Sequence, residues 1–152
     1  MILLSACLAG KRCRYDGGGF DRYPELARMV EEGRAVPVCP EELGGLPTPR
    51  PPAEIQGGDG RDVLAGNARI TRVDGKDVTE AFLAGARKTL SIAQTCGATA
   101  AVLKGRSPSC GAKQIYAGAF DGALKPGQGV TAALLESAGL TLYDEDDFPP
   151  SL

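Results

Sequence analysis

Ala100-Ala101-Val102-Leu103 is apolar at every position, with Gly97 before it and Gly105 after it. A strand with no polar face must be covered above and below, which is the condition of a strand inside a parallel sheet. Ile2-Leu3-Leu4, Ala35-Val36-Pro37-Val38 and Leu140-Thr141-Leu142-Tyr143 are similarly short and apolar, and Pro37 suits an edge position. Helical patterns lie between these runs. Pro24 to Glu32 carries Leu26, Met29 and Val30 as a stripe, with Pro24 fitted to the first turn and Gly33 to the end. Glu80 to Cys96, with Thr79 expected as N-cap, gathers Phe82, Leu83, Ala86, Leu90, Ile92 and Ala93 on one half, and Cys96 reads there as a small core residue. Gly129 to Glu136 begins another helix. Strands alternating with helices predict an α/β fold: a single domain over residues 1–152, with a Rossmann-like, mainly parallel sheet and helices on both faces.

Three segments fall outside that alternation. Gly44 to Gly60 is dense in proline and glycine and reads as extended backbone rather than helix or sheet, with Arg50 and Glu54 as its polar anchors. A long irregular stretch inside a compact domain is more often functional than not. Ala68 to Val73 reads as a strand turned by Asp74-Gly75, and Ile115-Tyr116 as a weak one. The acidic Asp144-Glu145-Asp146-Asp147 reads as a solvated end.

Composition narrows the chemistry. The chain has no histidine, which excludes Ser-His-Asp and Cys-His catalysis and every imidazole-bound metal. A general base must then be a carboxylate, Lys, Tyr, Cys or water. No apolar run approaches the roughly 18 residues of a membrane helix, and the first residues lack the basic head of a signal peptide, so the expected compartment is the cytoplasm. There the five cysteines are expected as thiols or metal ligands rather than disulfides. A net charge of −2, with both signs mixed, gives no strong nucleic-acid or membrane signal and points to a small-molecule partner.

In open α/β sheets ligands sit outside the carboxyl ends of the strands. Cys7, Cys39 and Cys110 each follow such an end and are expected to converge there. The last lies in Arg106-Ser107-Pro108-Ser109-Cys110-Gly111, where Gly105 and Gly111 permit close backbone approach and Pro108 stiffens the turn. Arg12, Arg14 and Tyr15 in the loop after Cys7 suit an anion or an aromatic ring. Three thiolates without histidine suit a soft metal or an iron–sulfur cluster, although three unrelated free thiols satisfy the same spacing. The close C-x2-C pairs usual for structural zinc are missing.

Longer motifs surround these cysteines. Ser5-Ala6-Cys7-Leu8-Ala9-Gly10 with Arg14-Tyr15-Asp16-Gly17 resembles the opening of the thiouracil desulfurase family. Val38-Cys39-Pro40-Glu41, Gly44 to Glu54, Ser107-Pro108-Ser109-Cys110-Gly111 and Gly129-Val130-Thr131-Ala132-Ala133-Leu134-Leu135 resemble its later motifs, so the likeness covers nearly the whole chain. The resemblance implies a [4Fe–4S] cluster held by Cys7, Cys39 and Cys110, with one iron open to a thiolated pyrimidine, and non-redox release of hydrosulfide. It further implies a catalytic carboxylate and serine at Glu41 and Ser107, with Glu42 as an alternative to Glu41. Cys13 is expected to be a bystander, since three ligands suffice. Competing expectations are a non-catalytic, structural zinc-binding protein and a cluster-bearing sulfur carrier.

Overall fold

The computed structural model describes residues 1–152. Four parallel strands form the central sheet: β1 (Ile2–Ser5), β2 (Ala35–Val38), β5 (Ala100–Leu103) and β8 (Thr141–Asp144), in the order β2-β1-β5-β8. Ile2 pairs with Ala35 on one side and with Ala100 on the other, and Ala100 with Thr141. Alternation along β1 and β5 divides the core. Ile2, Leu4, Ala100 and Val102 pack with Leu26 and Met29 of α1 (Pro24–Glu31). Leu3, Ala101 and Leu103 pack on the opposite side with Ala93 of α4 (Thr79–Cys96) and with Ala132 and Leu135 of α5 (Val130–Ser137). Helices therefore cover both faces, which is why β5 has no polar position. Full burial of a residue such as Leu3 or Leu103 contributes about 1.5–3 kcal/mol.

A second layer lies beside the sheet. β3 (Ala53–Gln56) and β4 (Arg69–Arg72) form an antiparallel pair, with α3 (Gly60–Leu64) between them. Ile55, Ile70, Val63 and Phe82 build a separate core against the other side of α4. β6 (Gln114–Tyr116) and β7 (Leu124–Pro126) form a small hairpin. The short helix α2 (Pro40–Leu43) packs on α4 through two glycines: a Cβ on Gly85 would sit 1.9 Å from the Pro40 carbonyl oxygen, and one on Gly44 would sit 2.0 Å from that of Ala81.

Three expectations are corrected. Gly44 to Gly60 does contain sheet, because Ala53–Gln56 alternates and finds β4 as a partner across Ile55 and Ile70. Thr79 is not the N-cap of α4. Val78 holds that position, the Thr79 hydroxyl accepts from the Ile70 backbone at 2.9 Å, and Asp77 Oδ1 accepts from the Thr79 N–H at 2.9 Å. The acidic end is not simply solvated: Asp144 is buried, and Glu145 accepts from the Gly105 N–H at 2.7 Å and pairs with Lys104 at 3.1 Å.

Candidate active site at the carboxyl edge of the sheet

β1 is flanked by β2, which follows it in the chain, and by β5, reached only after the second layer. Such a reversal of direction opens a crevice at the carboxyl ends of the strands. A cavity of about 310 Å³ occupies that crevice.

Three of the four strands each lead to a thiol at the cavity. β1 ends in a tight turn, Ala6–Ala9, that carries Cys7; Cys39 is the residue preceding α2; Cys110 lies in the loop after β5. Cys7, Cys39 and Cys110 thus line one cavity, as expected. Cys13 lines it too. The loop from Gly10 to Phe20 folds back over β1, with the Lys11 N–H on Ala6 O and the Phe20 N–H on Cys7 O. This packs the buried Cys13 side chain with Cys7 and Cys39, whose thiol donates to Cys13 O at 3.7 Å. Cys96 packs instead beside the α4 core, its thiol on Ala93 O.

The sulfurs are too spread for one ion. Thiolates on a single zinc, at about 2.3 Å from the metal, lie roughly 4 Å apart. No three cysteine sulfurs lie within 4.8 Å of one another. An all-thiolate, imidazole-free donor set spread around a cavity fits a group of several irons. Burial pushes the Cys110 thiol up to about 12, and Cys39 is raised by the Cys13 thiol and by burial. Cys13 is raised to about 11: its contact with Cys39 lowers it, and Cys7 and burial outweigh that. Thiols this protonated must shed protons to bind metal.

The two adjacent carboxylates of α2 separate in placement. Glu41 lines the cavity, and Arg50 Nε donates to its Oε1 at 3.0 Å. Burial holds Glu41 above the usual carboxylate range, against the opposing pull of Arg50. Glu42 lies outside the cavity lining: against its own desolvation, hydrogen bonds from Thr48 (2.6 Å) and Lys11 (3.1 Å) hold it below that range. Arg50 also donates to Cys13 O (2.9 Å), Pro47 O (3.1 Å) and Thr48 Oγ1 (2.8 Å), so it ties the proline-rich segment to the cysteine loop.

Ser107 Oγ accepts from the N–H groups of Ser109 and Cys110, both at 3.0 Å, leaving its own proton available to donate. The same loop caps α5. Pro108 O accepts from the Val130 N–H at 2.8 Å, Ser109 O from those of Thr131 and Ala132, and Gly111 O from that of Gly129. These are the orphan donors of a helix N-terminus, so the two motifs hold one another. Gly129 makes this possible, since a Cβ there would meet Ser109 backbone at 2.4 Å.

The sequence profile of the 2-thiouracil desulfurase family matches residues 2–147. The chain belongs to that family. A relative in Bacillus subtilis (strain 168), described as uncharacterized protein YbbK, is 50% identical over 147 residues, 97% of each chain. A solved structure described as a [4Fe-4S]-dependent thiouracil desulfidase, TudS, is 42% identical with a TM-score of 0.85, covering 97% of this chain and 92% of that one.

Sequence reasoning missed several residues that this desulfurase-family chain places around the cavity. Lys104 immediately follows β5, Tyr116 ends β6, Phe120 sits in the β6–β7 turn, and Val73 comes from the β3–β4 layer. Lys104 comes with the end of β5, but only the pairing of the second layer brings in the other three, and no local spacing announces it. The Gly10–Phe20 loop was the better signal: Arg14 and Tyr15, singled out there, do line the cavity.

Proposed function

We propose that the protein hydrolyses the carbon–sulfur bond of thiouracil or a related thiolated pyrimidine, using a [4Fe–4S] cluster held by Cys7, Cys39 and Cys110. The observation that carries this reading is the meeting of those three thiols with Glu41 and Ser107 on one cavity in a 2-thiouracil desulfurase family chain. The likeness to a structure described as [4Fe-4S]-dependent supports the cluster. With three protein ligands for four irons, the bound cluster supplies one open, soft Lewis-acidic iron for a thiocarbonyl sulfur. Cys13 stays outside the proposed ligand set: it comes from the loop folded back over β1 rather than from a strand end, and three ligands suffice.

The remaining work falls to the chain. Glu41, held by Arg50, takes a proton from the water whose oxygen attacks the ring carbon. Ser107, its oxygen already engaged by two N–H groups, directs its proton to the ring and steadies the charge that develops there. The new carbon–oxygen bond replaces carbon–sulfur: one water proton passes by way of Glu41 to the sulfur, which leaves as hydrosulfide, the other is released to solvent, the ring keeps the hydrogens it began with, and no net electron is transferred. Walls from Tyr15, Tyr116 and Phe120 suit a flat heterocycle.

The test is anaerobic purification followed by iron and sulfide analysis and a hydrosulfide assay with 2-thiouracil. About four irons per chain and stoichiometric uracil and hydrosulfide are expected. Iron-loaded protein that leaves 2-thiouracil intact would refute the activity, and a zinc-filled site with no iron uptake would refute the cluster.

A further inference from the structure

The β6–β7 turn holds Phe120 in a backbone conformation that ordinary residues avoid. Its φ is +55°, and the flanking Gly118 and Gly122 are also left-handed, at +106° and +82°. A bulky residue at positive φ is strained and persists only where its surroundings impose it. Here the imposing group is a buried carboxylate. Glu54 of β3, 7% exposed, accepts through Oε1 from the N–H groups of Gly118 (2.8 Å) and Phe120 (3.3 Å). Gln56, the next residue on the same face of β3, grips the same turn, donating to Gly118 O at 2.7 Å. Glu54 and Phe120 both line the cavity.

The second oxygen of Glu54 is idle. Oε2 makes no hydrogen bond within the protein, yet no buried side-chain oxygen is left without a partner, so Oε2 keeps an accessible face. A 7% exposed residue on the lining of a cavity offers that face to the cavity.

We propose that Glu54 and Phe120 form the ring-recognition element of the site. Phe120 supplies the flat face on which the heterocycle stacks, and Glu54 Oε2 accepts from a ring N–H while Oε1 fixes the turn. This rests on the functional reading above and deepens it, since Cys7, Cys39, Cys110 and Glu41 address only the thiocarbonyl and its water. The substrate class is a cyclic thioamide or thiourea with an unsubstituted N–H beside the sulfur-bearing carbon. Acyclic thiocarbonyls would reach the same reacting groups but gain nothing from the wall.

The experiment compares wild type, Phe120→Leu and Glu54→Gln, each loaded with cluster to equal iron content. Two quantities are measured: the ratio of kcat/KM for 2-thiouracil to that for N,N-dimethylthioacetamide, which has neither ring nor N–H, and the affinity for uracil by calorimetry, which needs no turnover. Both variants are expected to lower the ratio and the uracil affinity about tenfold, chiefly through KM, as loss of one stacking face or one ring hydrogen bond does. Phe120→Trp is expected to restore what Phe120→Leu loses. Parallel loss for both substrates, or an unchanged ratio, would overturn the proposal and leave the desulfurase reading standing. Failure of wild type to release hydrosulfide would overturn that reading instead, and failure of wild type to bind uracil would overturn this one. Should Glu54→Gln not fold, Phe120→Leu carries the test, because its side chain is only half-buried.

Discussion

Arg50 Nε donates to Glu41 Oε1 at 3.0 Å, and the Arg50 side chain is only 5% exposed. The pair is a buried carboxylate and a buried guanidinium, each of which would be costly alone. It also selects between two neighbouring acids, since Glu42 is engaged elsewhere with Lys11 and Thr48. Glu41→Gln keeps the volume and an acceptor for Arg50 but cannot take a proton. It is expected to leave iron content unchanged and to slow hydrosulfide release by about 10²–10⁴-fold. Because burial raises the Glu41 carboxyl, the acid limb of the wild-type rate profile is expected above the ordinary carboxylate range, with activity falling as pH drops through it. Rates measured between pH 4 and 8 check both statements.

Removing the other partner has a different signature. Arg50→Met leaves Glu41 buried without its cation and also frees Cys13 O, Pro47 O and Thr48 Oγ1. Loss of about 3–5 kcal/mol of stability is expected, with the surviving activity shifted to higher pH because Glu41 is then harder to ionise. Thermal melts and a pH–rate profile on the same sample separate these effects.

The cysteines are expected to divide three to one. Cys7→Ala, Cys39→Ala and Cys110→Ala should each abolish stable iron binding, whereas Cys13→Ala should keep both iron and turnover. Loading should also consume base, because Cys110, Cys39 and Cys13 are all raised in the empty site. Reconstitution is therefore expected to be faster at pH 8.5 than at pH 6.5, followed by iron content against time.

Gly85 lies two helical turns from the start of α4 and has no chemistry of its own. A methyl group there would collide with Pro40 O at 1.9 Å and push α2, with Glu41, away from the cavity. Gly85→Ala, normally favourable in a helix, is expected to destabilise by about 1–3 kcal/mol and to reduce kcat more than a neutral control at the solvent-facing Arg87.

Asp77→Ala removes the acceptor for the Thr79 N–H and the partner of Arg69. A loss of about 1 kcal/mol is expected at pH 7. Arg69 holds the Asp77 carboxyl down at about 2, below its ordinary 3.8, so its contribution is complete above that ordinary value and disappears as pH falls through 2. Urea midpoints of wild type and variant should accordingly converge in strong acid.

The central sheet was legible because its strands are buried on both faces and so are written as unbroken apolar runs. Ala100–Leu103 is the plainest case. The cysteine positions were legible for the same reason, each being counted from the end of such a run. β3 was hidden because Ala53-Glu54-Ile55-Gln56 sits among prolines and has a buried acid where an apolar residue would have signalled sheet. Glu54 is buried because the Gly118 and Phe120 amides need its carboxylate, a reason lying some sixty residues away in the chain. The place of Cys13 on the cavity was hidden because its loop is short, polar and basic, and only the return of Phe20 onto Cys7 O turns its thiol inward.

Every residue assigned a role in the reaction lies beyond the carboxyl ends of the strands or in the layer beside them. The opposite edge is held by plain main-chain bonds, Ile2 N–H to Arg34 O, Thr99 N–H to Met1 O and Thr141 N–H to Thr99 O. The molecule can thus be engineered at its two ends independently. Tighter turns around Gly33, Ala98 and Gly139, or a tag joined before Met1, would alter robustness without disturbing the metal-facing end, leaving the opposite rim free to be retuned for other heterocycles.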